Sequence, residues 1–95
     1  MNQLTLAELQ EWRESGKIFQ LIDVREPEEH QAFNIGGDLI PLGSILQALP
    51  RISREHPVVV YCKRGIRSQI AIQRLQNRLP DAVFYNLLGG IISLQ

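Results

Sequence analysis

Apolar and polar positions along the chain change period several times, and each change marks an element. Thr5 followed by Glu8 has the spacing of a capping box, with Leu4 and Leu9 placed as a hydrophobic staple and Gly16 as a left-handed stop. A short helix is predicted over residues 6–15. Phe19 to Val24 is apolar except for Gln20 and Asp23, which reads as a strand buried on both faces. Pro27 opens a helical turn whose Glu28 and Glu29 suit its positive end, and the turn closes before Gly36-Gly37. Leu39-Ile40 is a brief strand. Ser44 is placed to cap a helix carrying Ile45, Leu46, Ala48 and Leu49, with Pro50 at its exit.

Val58-Val59-Val60-Tyr61 is the most strongly β-branched run in the chain and belongs in the middle of a parallel sheet. Beyond Cys62 the period becomes helical, with Ile70, Ala71, Leu75 and Leu79 on one stripe, Ser68 near the start and Pro80 past the end. Val83 to Leu87 is a last strand, Gly89-Gly90 a turn, and Ile91 to Gln95 at most one helical turn. Strands alternating with helices predict one α/β domain over residues 1–95, built on a mainly parallel sheet of four to five strands with helices on both faces.

The 95 residues carry ten Lys plus Arg and ten Asp plus Glu, a formal net charge of zero. That balance gives no general drive toward nucleic acid or an anionic membrane. One cysteine excludes an internal disulfide. No stretch approaches the roughly 20 apolar residues that span a bilayer, and residues 1–10 lack the pattern of a secretory signal, so a cytoplasmic location is expected. The neutrality is uneven. Residues 1–30 hold seven acids and three bases, whereas Val58 to Pro80 holds five bases and no acid, all in the neighbourhood of the cysteine.

Ligand sites in open α/β sheets lie beyond the carboxyl ends of strands, where both Asp23-Val24-Arg25 and Cys62 fall. A cysteine after an apolar strand, taken alone, reads as a small buried hydrophobe. Here it stands at the mouth of a helix among Lys63, Arg64 and Arg67, where the end-dipole and the cations favour thiolate over thiol. Gly65 lets the loop curl so that backbone N–H groups form an anion-binding nest. The expected result is a nucleophile in a cradle suited to thiosulfate, phosphate or arsenate. His30 and His56 lack metal-ligand spacing and read as surface residues, so no metal is expected. Arg74 and Arg78 read as a solvated helix face.

The run C-K-R-G-I-R-S after V-V-V-Y, with L-I-D-V-R-E-P-E-E upstream and N-L-x-G-G downstream, resembles the rhodanese-like sulfurtransferase domain over nearly the whole chain. The resemblance implies that Cys62 attacks the sulfane sulfur of a donor such as thiosulfate, releases sulfite and holds the sulfur as a persulfide for a second nucleophile. It further implies a cradle formed by Lys63, Arg64, Gly65, Ile66 and Arg67, with Asp23, Arg25 and Ser68 in support and no cofactor. The implied partners are a small anionic donor and a protein sulfur donor or acceptor. A docking or sulfur-relay module without catalysis is the alternative. Phosphatases and arsenate reductases of the same fold separate cysteine and arginine by five residues; the four between Cys62 and Arg67 make a smaller loop that favours sulfur.

Two departures accompany the resemblance. Phe33-Asn34-Ile35-Gly36-Gly37 stands where many members have G-H-I-x-G, and Leu94 where many have tryptophan. The stretch N-I-G-G-x-L-I-P-L is similar to rhodanese domains attached to adenylyltransferases of sulfur transfer.

Overall fold

Every side chain from Val58 to Cys62 is buried, which requires neighbours on both edges of the strand and a layer on each face. The computed structural model describes residues 1–95 and supplies both. In chain order the strands are β1 (Asn2–Leu4), β2 (Gln20–Asp23), β3 (Asp38–Leu39), β4 (Val58–Tyr61) and β5 (Phe84–Leu87). The helices are α1 (Leu6–Glu14), α2 (Pro27–Ala32) and α3 (Ile66–Arg78), with 3-10 segments at Leu42–Arg51 and Ile92–Leu94.

The five strands form one sheet in the order β1-β5-β4-β2-β3, with every pairing parallel. β4 is therefore the central strand, as its β-branched run demands. Asp23 lies opposite Tyr61, so the ends of β2 and β4 meet at one edge of the sheet. The chain runs outward to β3 from one of these strands and to β5 from the other. That divergence makes their carboxyl ends the switch point of the sheet, the place where α/β sheets carry their ligand sites.

Alternation along β4 divides the interior in two. Val58, Val60 and Cys62 join Ile22, Ala71, Ile72 and Leu75 beneath α3 and the first 3-10 segment. Val59 and Tyr61 face the other way, onto Leu4, Leu9, Leu21, Leu87 and Ile91. Each wholly buried aliphatic side chain stabilises the fold by about 1.5–3 kcal/mol. The reciprocal capping box of α1 forms as the sequence predicts: Thr5 N–H donates to Glu8 Oε1 at 2.9 Å and Glu8 N–H to Thr5 Oγ1 at 3.1 Å.

Two elements differ from expectation. Ser44 caps no helix: the segment starts at Leu42 after Pro41, is 3-10 throughout, and Ser44 N–H donates to Pro41 O at 2.8 Å. Pro50 has no N–H to donate in either kind of helix, and in an α-helix its ring would also meet the carbonyl of Leu46, which disfavours α geometry here. The short edge strand β1 has no counterpart in the sequence pattern, since only Leu4 of its three residues is buried. Its evidence is its pairing, Gln3 opposite Asn86 and Leu4 opposite Leu87.

Candidate active site

Cys62 follows β4 directly and is 1% exposed. The chain then turns through Gly65, whose φ of 92° is a conformation that suits glycine, and enters α3 at Ile66. This turn brings N–H groups back onto the sulfur: Gly65 donates to Sγ at 3.1 Å and Ser68 at 3.4 Å, and the Ser68 hydroxyl lies 3.4 Å away. Burial pushes the thiol up. The Ser68 hydroxyl and the N–H groups of Ser68, Gly65 and Arg64 more than reverse that push, leaving Cys62 below its ordinary 9.0.

Of the sources the sequence pointed to, the amide nest acts on the sulfur directly and the cations contribute less. Arg67 is not free: Nη1 and Nη2 donate to Glu29 Oε1 at 2.6 Å and Oε2 at 2.9 Å. Its charge is held chiefly by those bonds, with only a smaller attraction from Cys62. Arg64 is exposed, Lys63 partly so, and neither belongs to any ion pair. Ile66 is 65% exposed, so what it offers the loop is its place in the backbone. Amides and one hydroxyl, more than the three cations, hold the thiol below its ordinary value.

Glu29 is fastened at both ends of its reach. It accepts the N–H of Glu26 at 3.1 Å at the start of α2 and the Arg67 fork from α3. Those bonds, the Arg67 fork foremost, hold its carboxyl down to about 2. Glu29 therefore ties α2 to the cysteine loop, a role that its sequence position as a first-turn acid concealed.

Asp23 and Arg25 form a wholly buried ion pair. Asp23 Oδ1 accepts from Arg25 N–H and Nε, both at 3.0 Å, and Oδ2 accepts from Arg25 Nη2 at 2.9 Å. Arg25 Nη2 also donates to Phe33 O at 2.6 Å, and the guanidinium stands 5.6 Å over the Tyr61 ring. Although burial raises the Asp23 carboxyl, its bonds to Arg25 and His30 leave it below its usual range. Neither residue touches the sulfur. They hold α2 and the chain after it against the ends of β2 and β4, while Tyr61 Oη donates to Gly36 O at 2.8 Å on the same side.

His30 is not the free surface residue that its polar surroundings implied, because Nδ1 lies 2.9 Å from Asp23 Oδ2. The spacing Asp23 to His30 places it one turn into α2 and back over the strand end. Asn34, in the histidine position of the G-H-I-x-G pattern, is occupied locally: Nδ2 donates to His30 O at 2.9 Å and Oδ1 accepts from Gly36 N–H at 2.8 Å. From the other side, Ile91 N–H donates to Cys62 O at 3.2 Å and Ile92 N–H to Lys63 O at 2.9 Å. Gly90 makes this approach possible, since a Cβ there would overlap the carbonyls of Lys63 and Cys62.

A parallel α/β sheet that delivers one cysteine into an amide nest at a helix start defines a class of anion-handling thiol domain. The match to known families makes it specific: the profile of the rhodanese-like domain covers residues 5–94, and the chain belongs to that family. It is 37% identical over 94 residues to the probable adenylyltransferase/sulfurtransferase MoeZ of Mycobacterium tuberculosis, 95% of this chain but 24% of that protein. The chain thus spans about a quarter of that relative. It is 40% identical over 87 residues to the uncharacterized protein YqhL of Bacillus subtilis, 90% of this chain and 68% of that protein. The crystal structure of SSP1007 from Staphylococcus saprophyticus superposes with a TM-score of 0.89 at 27% identity, covering 100% of this chain and 94% of the other. No helix is long and apolar enough to cross a membrane.

Proposed function

We propose that the domain is a sulfurtransferase in which Cys62 carries the sulfur. The thiolate attacks the outer sulfur of thiosulfate or a similar donor, the S–S bond of the donor breaks, and sulfite leaves with the bonding electron pair. The persulfide on Cys62 then gives its terminal sulfur to a thiophilic acceptor and the thiolate is restored. No step changes the electron count of the protein, so the chemistry calls for no redox cofactor. A free thiolate needs a reducing compartment, for which the cytoplasm is the expected setting.

The observation that carries this reading is the convergence of the Gly65 and Ser68 N–H groups on Sγ. The same donors serve a persulfide anion one bond further out, in the small loop between Cys62 and Arg67. Lys63, Arg64, Gly65, Ile66 and Arg67 form the rim that the donor crosses, and Asp23, Arg25 and Ser68 support it. A phosphoryl group is served less well, because the Arg67 fork faces Glu29.

The match to 24% of MoeZ favours a second setting for the same chemistry, a relay in which this domain passes sulfur to a protein partner. Sulfite release from thiosulfate, pyruvate release from mercaptopyruvate, and loss of sulfur from a protein persulfide, each measured with and without an acceptor, separate the donors. Turnover of none of the three, with turnover of phosphate esters instead, contradicts the proposal.

A further inference from the structure

A hydroxyl carries one hydrogen, and that of Ser68 has two claimants. Ser68 Oγ stands 3.4 Å from Cys62 Sγ and donates to Asn86 Oδ1. Asn86 Nδ2 in turn donates to Gln3 Oε1 at 3.0 Å. Written this way the chain points outward from the sulfur. It suits a protonated thiol, whose S–H donates to Ser68 Oγ.

A thiolate has no hydrogen to give and requires the opposite sense. Ser68 must then turn its hydrogen to Sγ, which leaves its oxygen facing Asn86 as an acceptor. An Asn86 oxygen in that position would set lone pairs against lone pairs. Half a turn of the Asn86 amide removes the conflict by bringing Nδ2–H to Ser68 Oγ and Oδ1 to Gln3, whose amide turns likewise and donates from Nε2. Amide oxygen and nitrogen are nearly equal in size, so both turns fit the same space. Every bond survives with donor and acceptor exchanged. No proton moves along the chain, and the thiol proton leaves to solvent.

The surroundings enforce this coupling. Asn86 and Ser68 are wholly buried, so an unpartnered group there would go without water. Gln3, opposite Asn86 on the exposed edge strand β1, is the end of the chain that reaches solvent.

We propose that Asn86 and Gln3 are positioning residues for Cys62: their two amides set the direction of the Ser68 hydroxyl and reverse together when the sulfur ionises. The N-L-x-G-G run then has two duties. Its asparagine orients the hydroxyl, and its second glycine admits the cysteine loop. The inference rests on Cys62 acting as a thiolate, as the proposed function requires.

The test is the pH dependence of Cys62 alkylation by iodoacetamide, followed by intact mass. Gln3→Glu accepts only and fixes the outward sense; Gln3→Lys donates only and fixes the inward sense. The charged and titratable groups otherwise near the sulfur or the chain are Lys63, Arg64, Arg67, Glu29, His30, Asp23, Arg25, Tyr61 and the amino terminus, and all are left intact. About 1 M salt screens the introduced charges over roughly 3 Å. The expected result is alkylation on the acid side of the midpoint at least ~3-fold slower in Gln3→Glu than in Gln3→Lys, equivalent to about half a pH unit in midpoint. In the Ser68→Ala background that gap should close. Equal rates in the two variants, or a gap that persists without the Ser68 hydroxyl, overturn the proposal. Alkylation needs no sulfur donor, so a failure here is distinct from a failure of sulfur transfer.

Discussion

Arg67 and Glu29 are joined end to end, Nη1 to Oε1 at 2.6 Å and Nη2 to Oε2 at 2.9 Å, so the cation in the first turn of α3 is already neutralised by α2. An anionic donor must therefore compete with a carboxylate for this fork or use its outer edges. The five bases between Val58 and Pro80 overstate the attraction the site offers.

Glu29→Gln should accordingly strengthen anion binding. It removes one negative charge and leaves Arg67 with a weaker partner. Inorganic sulfate, titrated against the backbone amide resonances of Gly65 and Ser68, should bind about ten-fold more tightly than in the parent. Weaker binding would show instead that Glu29 aims Arg67 at the donor.

Acid should unfold the protein in part through the same pair. The folded-state pKa of Glu29 is depressed from 4.5 to about 2, so its contribution is fully present above 4.5 and is lost as pH falls through 2. Both side chains are about one-third exposed, which limits that contribution to about 1 kcal/mol. Urea midpoints measured from pH 6 down to pH 2 should fall less steeply in Glu29→Gln.

The buried pair is a different case. Asp23→Ala leaves the Arg25 guanidinium in a wholly buried place with Phe33 O as its only hydrogen-bond acceptor. A loss of about 3–5 kcal/mol is expected on denaturant unfolding. The double replacement Asp23→Leu with Arg25→Met should recover much of it, because no charge then remains to be solvated.

How much of this was legible in the sequence depends on whether the signal was local. The β-branched run at Val58–Tyr61, the Thr5/Glu8 box and the turn through Gly65 into α3 depend on neighbours in the chain, and they form as expected. β1 was missed because Asn2 and Gln3 are polar and exposed; what makes them a strand is β5, more than 80 residues away in register. Glu29 and His30 looked like polar helix-start and turn residues because their partners, Arg67 and Asp23, are brought to them only by the fold. The cations were visible but the pairing of Arg67 with Glu29 was not, so their share in lowering the thiol pKa was overstated beside that of the amide nest and the Ser68 hydroxyl.

The paired glycines separate backbone freedom from close approach. Gly89 and Gly90 have φ of 75° and 64°, yet a Cβ on Gly89 meets nothing within 4 Å while one on Gly90 overlaps the Cys62 and Lys63 carbonyls. Gly89→Ala should cost about 1–2 kcal/mol, the strain of the left-handed conformation alone. Gly90→Ala should cost more and also slow Cys62 alkylation by displacing the loop. Equal effects of the two in denaturant melts and alkylation rates would contradict the packing seen around Lys63.

The most direct measurement is the intact mass of the protein after incubation with thiosulfate and removal of small molecules. The account predicts the gain of one sulfur atom, located on Cys62 by peptide mapping, absent in Cys62→Ser and released by a thiophilic acceptor. An unchanged mass with thiosulfate, mercaptopyruvate and a protein persulfide alike, with Cys62 shown to be reduced at the start, would contradict it.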